Sequence, residues 1–137
     1  MPPDLARVED AKGWLTKASQ DLRRVEILLA ASPPDFEDGL FHCQQAAEKA
    51  FKGFLTWHDM VFRRIHELDL IGGQCADLDP TLAGLVDRAD ALTKFAWRFR
   101  YPGAPYQASP EQARQGHALA REVYDAILRR LPPELHP

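Results

Sequence analysis

Two groups of side chains have the types and spacing to do chemistry. The first is Trp97-Arg98-Phe99-Arg100-Tyr101-Pro102, where two guanidinium groups alternate with three aromatic rings. A guanidinium fork matches phosphate oxygens in pairs, and aromatic faces stack on bases and cations, so this pattern suits a phosphate-bearing, base-bearing ligand. It equally suits a local arrangement in which Trp97 and Phe99 pack and Arg98 and Arg100 pair with carboxylates. The second group is the strip Gln44, Gln45, Glu48, Lys49 and Lys52. Its two ammonium groups are weaker candidates for the same anion.

Other chemistries lack their residues. The histidines are His42, His58, His66, His117 and His136, and no two stand three or four residues apart. Two ligands on one helix face need that spacing, so no metal site is expected; His66-Glu67 is the nearest approach to a ligand pattern. There is no GxSxG, and Gly72-Gly73 is a lone pair of glycines rather than a phosphate-cradling loop. No cofactor is expected. Cys43 lies on an apolar helix face and Cys75 in a Gly-rich connection, and neither belongs to a CxxC pair. Both read as reduced thiols.

The strip sits on an amphipathic helix, and Gln44 is out of place on it. At 100° per residue from Leu40, the residues Leu40, Cys43, Ala47, Ala50, Phe51 and Phe54 share one face. His42, Gln45, Lys49, Lys52 and Thr56 share the other. Gln44 falls at about 40°, inside the apolar sector. A buried amide without partners costs about 1–3 kcal/mol, so Gln44 is expected to be satisfied inside the fold, or to contact a ligand. Ala46, Ala50 and Gly53 cluster on one flank at roughly 240°, 280° and 220°. Gly within a helix costs about 1 kcal/mol against Ala, which a close neighbouring backbone would offset.

These groups need helices to hold them. Over 8–31, apolar residues step by three and four from Val8 to Leu29, and Ser32-Pro33-Pro34-Asp35 ends that helix. Asp35 begins a second helix over about 36–58. A shorter one is expected over about 65–76. Asp79 and Pro80 open a fourth, ending near Arg98. The segment RYPGAPYQASPE at 100–111 carries three prolines and a glycine and reads as a loop. Ser109-Pro110-Glu111-Gln112 starts a last helix running to about Leu131. The fold class is therefore all-α, an up-and-down antiparallel bundle of four long helices plus one short helix. One domain is expected over 1–137, with a core of about 10–131 and a tail at 132–137.

The chain has 137 residues, a net charge of −3, 45% hydrophobic and 27% charged residues. That length supports a core without disulfides or metal. The mild acidity argues against gripping nucleic acid by charge alone. The start MPPDLARVED lacks a basic segment followed by an apolar core, and no apolar run approaches the ~20 residues that span a bilayer. A cytoplasmic location, with no membrane contact, is the expectation.

The sequence resembles the HEPN domain family. The residues that carry the resemblance are LTKASQDLRRVEILL at 15–29, GLFHCQQAAEKAFKGFL at 39–55, IHELDLI at 65–71 and RFRYPG at 98–103. They follow the family's order of a Gln-Gln-Ala-x-Glu-Lys helix, a His-(Asp/Glu)-Leu step and a later Arg-Tyr-Pro, and they span roughly 10–130. The resemblance implies a helical bundle, commonly a homodimer with a cleft between protomers. It implies one of two functions. Some members are ribonucleases, often toxins, which carry Arg, four to six residues, then His. Others lack that motif and accompany a small nucleotidyltransferase, helping to bind nucleotide or substrate.

Counting residues separates the two. After Arg98 and Arg100 no histidine occurs until His117, and Tyr106 occupies the region where one would fall. Arg114 lies too close to His117, and Arg129 and Arg130 reach His136 only through Pro132-Pro133. The expectation is a dimeric, non-enzymatic nucleotide-binding partner of a small nucleotidyltransferase, within a toxin–antitoxin type of pair. Arg98, Arg100 and Tyr101 would contact the nucleotide or RNA, with Lys49, Lys52 and Gln44 behind them. The rival is a metal-independent ribonuclease with a degenerate site, using His117 as acid or base beside Arg100.

Overall fold

A computed structural model of the protein describes residues 4–62, 68–99, 102–103 and 107–137. Among these it is all-helical: α1 (Leu5–Ala30), α2 (Phe36–Trp57), α3 (Leu68–Leu78), α4 (Ala83–Arg98) and α5 (Pro110–Arg129). Two short 3-10 turns, Pro80–Leu82 and Pro133–Leu135, precede α4 and follow α5.

Local chemistry sets the helix starts. Asp35 Oδ1 accepts the Asp38 amide at 3.0 Å, satisfying a donor that the first turn of α2 leaves open. Ser109 and Gln112 form a reciprocal capping box on α5, with bonds of 3.0 and 2.9 Å. Asp79 caps as expected, but it caps the 3-10 turn that leads into α4 rather than α4 itself. Tightening a first turn into 3-10 geometry is common at helix ends.

The second helix is the hub. It packs against α1, α3, α4 and α5, and thirteen of its 22 residues are buried, so both flanks of the helix are covered. Phe51, Phe54, Leu40 and Leu55 fill the interior with Leu15 and Leu22 of α1, Ile71 of α3, Leu92 of α4 and Ile127 of α5. The small flank does bring a backbone close. A Cβ on Gly53 would lie 3.1 Å from Leu15 Cδ2 and 3.4 Å from the Ala11 carbonyl oxygen. On the other side, a Cβ on Gly116 would lie 2.5 Å from Leu40 Cδ2, so α5 approaches α2 closely there.

Two sequence expectations change. Cys75 is not in a loop: it lies within α3, buried, because that helix runs on to Leu78 through Gly72-Gly73. Residues 132–137 do more than trail. Leu135 is fully buried and its turn packs on α1, while His136 Nε2 lies 2.7 Å from the Leu128 carbonyl oxygen. Among the described residues, no helix is long and apolar enough to cross a membrane.

Candidate functional site

The strip on α2 becomes two buried polar clusters. The first forms around Asp21 of α1, which is 1% exposed. Its Oδ1 accepts His42 Nδ1 at 2.8 Å and Arg24 Nη1 at 3.2 Å. Its Oδ2 accepts Lys49 Nζ at 2.5 Å. A carboxylate removed from water needs partners on both oxygens, and here three basic groups supply them. The bond to Asp21 also fixes the imidazole: Nδ1 carries the proton, and Nε2 turns outward to within 4.0 Å of Asp38 Oδ2. Arg24, Ile27, Leu28, Asp38 and His42 line a surface depression of about 250 Å³ at this point.

The second cluster runs along α2 itself. Lys52 Nζ donates to Glu48 Oε2 at 3.2 Å, and Gln44 Nε2 donates to Glu48 Oε1 at 3.3 Å. Gln45 Nε2 donates to Gln44 Oε1 at 2.7 Å. Lys52 is 7% exposed, and its ammonium also sits 5.1 Å from the Trp14 ring centroid and 5.7 Å from that of Phe62. A desolvated ammonium over aromatic faces gains about 2 kcal/mol. Gln44 is thus buried and hydrogen-bonded, as its place on the helix requires. These two bonds run to side chains of its own helix, and Gln44 takes part in a further interaction besides.

The arginine–aromatic group is of another kind. Trp97 ends α4 at 40% exposure and meets Phe41 edge to face, with centroids 6.0 Å apart. Arg98 is exposed and makes an interaction of its own. Arg100 and Tyr101, the expected centre of the site, lie outside the described residues, as do His66 and Tyr106. Elsewhere on the surface, Trp57 is half-buried under the Arg7 guanidinium at 5.6 Å, and Phe62 packs on the edge of Trp14. His117, proposed as an acid or base, has its Nε2 3.8 Å from Glu26 Oε1.

Reactive thiols are not in evidence among the described groups. Burial pushes the Cys43 thiol up to about 12 and raises Cys75 as well, so both stay protonated and inert. His58 is held below the usual imidazole value, first by burial and then by Arg7. No group of three His, Cys, Asp or Glu among the described residues is placed to hold a metal ion.

The model of the HEPN domain matches residues 11–131 of this chain. The chain belongs to the HEPN domain family. It is also similar to a solved structure, that of TT1696 from Thermus thermophilus. The two share 29% identity and a TM-score of 0.72, over 88% of this chain and 98% of that one. No curated protein matches it. The HEPN match takes in Asp21, the whole α2 strip, the end of α4 and His117, and stops just before the turn that buries Leu135.

Sequence reasoning missed Asp21 and His42. The signal was there: Asp21 stands three residues after Ala18 and four before Val25, on the apolar face of α1, as Gln44 does on α2.

Proposed function

We propose that this HEPN protein is a non-enzymatic accessory subunit that binds an anionic ligand, a nucleotide or RNA, through Arg98, Arg100 and Tyr101. In this reading it acts as a homodimer beside a small nucleotidyltransferase, within a toxin–antitoxin type of pair. Its four long helices form an up-and-down antiparallel bundle, with α3 as the short addition.

One observation carries the choice of site. The two lysines that could have competed for the ligand are engaged inward, Lys49 with Asp21 and Lys52 with Glu48. The exposed Trp97-Arg98 end of α4 leads straight into Arg100 and Tyr101. Guanidinium beside an exposed ring is the chemistry that clasps phosphate and stacks a base. The non-enzymatic reading is favoured by His117, whose described charged contact is a carboxylate. A ribonuclease acid or base would instead work beside a guanidinium.

The test is a pull-down of tagged protein from its native host, with mass spectrometry of the captured proteins and sequencing of any RNA. Recovery of a small nucleotidyltransferase supports the accessory reading. Recovery of RNA or ribosomes without that enzyme contradicts it and makes His117→Ala the next variant.

A further inference from the structure

We infer that the outward face of α3 is a docking surface for a basic amphipathic helix of a partner protein. The face has two rows. Leu70, Gln74 and Leu78 follow one another at four-residue steps, and Asp69, Gly73 and Asp77 form the row beside them. Leu70 is 48% exposed and Leu78 39%. Between them Gln74 Nε2 donates to the Val61 carbonyl oxygen at 3.1 Å, which sets the exposed Val61 beside the same row. Single apolar residues are ordinary on a surface, whereas a row of them rimmed by charge marks a binding face.

The acidic row borders a groove. α3 approaches α4 so closely that a Cβ on Gly72 would lie 2.8 Å from Val86 Cγ1. Beside that contact the seam is lined by Gly73, Ala76 and Ala83, which are too short to fill it, and a Cβ on Gly73 would meet nothing within 4 Å. A depression of about 300 Å³ results, rimmed by Asp69, Asp77, Asp87 and Asp90. This chain does little to neutralise it. The sequence has no Lys or Arg between Arg64 and Arg88. Arg88 turns to Glu122 at 2.6 Å, Lys94 reaches only Asp90 at 3.7 Å, and Arg130 is tied to Asp79 at 2.8 Å. Among the described residues, Asp69, Asp77 and Asp87 have no ion pair.

Charge complementarity selects the occupant. Two copies of this acidic face repel each other, and nucleic acid is repelled as well. A helix with apolar anchors at i and i+7, flanked by Lys or Arg, matches both rows. Leu70 and Leu78 stand about 12 Å apart along the helix axis, close to the anchor spacing of such a helix, about 10.5 Å. The inference goes beyond the nucleotide-binding reading and does not rest on it. Asp87 precedes Trp97 by ten residues, about 15 Å of helix, so the two surfaces can be occupied at once.

The experiment is a 15N NMR titration of the full chain with a synthetic amphipathic peptide of about 18 residues, long enough to form a helix. It carries Leu on one face and Lys beside it. The controls are its Glu-for-Lys version and a scrambled isomer of the Lys peptide. We expect the amides of Leu70, Gly73 and Leu78 to shift with the Lys peptide alone. Asp69→Asn/Asp77→Asn should weaken binding about tenfold, and Leu70→Ser/Leu78→Ser at least as much. All four side chains are exposed, so these variants should fold, which thermal unfolding checks. Should the leucine variant fold poorly, Asp69→Lys/Asp77→Lys decides instead, by transferring the preference to the Glu peptide. Equal binding of the Lys and Glu peptides, shifts that map elsewhere, or no shift at ~1 mM peptide overturns the inference. So does sedimentation showing a self-associated chain that Leu70→Ser/Leu78→Ser dissociates, because a second copy would then cover the face.

Discussion

The polar face of α2 and the end of α4 use the same vocabulary of cations beside aromatic rings, and they use it oppositely. At α2 the cations are enclosed. Lys52 is 7% exposed between Glu48 and two rings, and Lys49 is tied to a carboxylate on another helix. At the end of α4 the ring itself is 40% exposed and the cation beside it is at the surface. Cation plus aromatic is therefore not a site signature by itself. What separates the two regions in the structure is whether water is excluded. On that criterion α2 holds the fold, and the exposed end of α4 is where the proposed ligand would be met.

The contrast can be broken most forcefully at Asp21. Replacing it with Ala leaves Lys49 and His42 partly buried without their partner. We expect a loss of about 3 kcal/mol in urea denaturation, as for other broken buried pairs. A loss under about 1 kcal/mol would place the cluster among surface ion pairs instead. Glu48→Ala strands Lys52 and removes the acceptor of Gln44. The expected cost is about 2–3 kcal/mol, with Glu48→Gln costing less because it keeps a partner for the amide.

At the other region the expected effects on stability are small. Trp97→Ala removes a half-exposed ring with one edge contact and should cost about 1 kcal/mol or less by thermal unfolding. A larger cost would mean that the α4 end is core rather than surface.

Asp79 gives the smallest effect, and its sign follows from its partners. The Thr81 hydroxyl first, then Arg130, hold its carboxyl below the usual carboxylate range. A depressed folded value means that the contribution to stability is present at neutral pH. It is lost as the pH falls below the ordinary carboxylate value and through the depressed one. Asp79→Asn should therefore flatten the acid limb of a stability–pH profile. An unchanged acid limb would show the Asp79–Arg130 pair to be energetically silent.

Much of this architecture was legible because it is written locally. Asp35 and the Ser109–Gln112 pair start helices through atoms within three residues of each other, and such spacing is visible in a string of letters. Gln44 could be placed inside the fold because a helix turns by a fixed angle. The Glu48–Lys52 bond was within reach for the same reason, since residues four apart on a helix are neighbours. The role of Lys49 was not, because its partner lies on α1, 28 residues earlier. Burial of Leu135 was hidden too: LPPELHP has no helical period, and the leucine is covered by docking on α1. What failed to show in the sequence was the pairing of helices, and that pairing decided which cations are enclosed.

If α2 braces and α4 binds, then the arginines after α4, and not the lysines of α2, carry ligand. Comparing Arg98→Ala/Arg100→Ala with Lys49→Met, by ATP titration calorimetry and thermal unfolding in the same buffer, decides between them. We expect the arginine variant to lose ATP binding with its unfolding temperature nearly unchanged, while Lys49→Met loses stability yet binds ATP as the parent does while folded. Intact binding in the arginine variant, or loss of binding in a fully folded Lys49→Met, would contradict this division of labour.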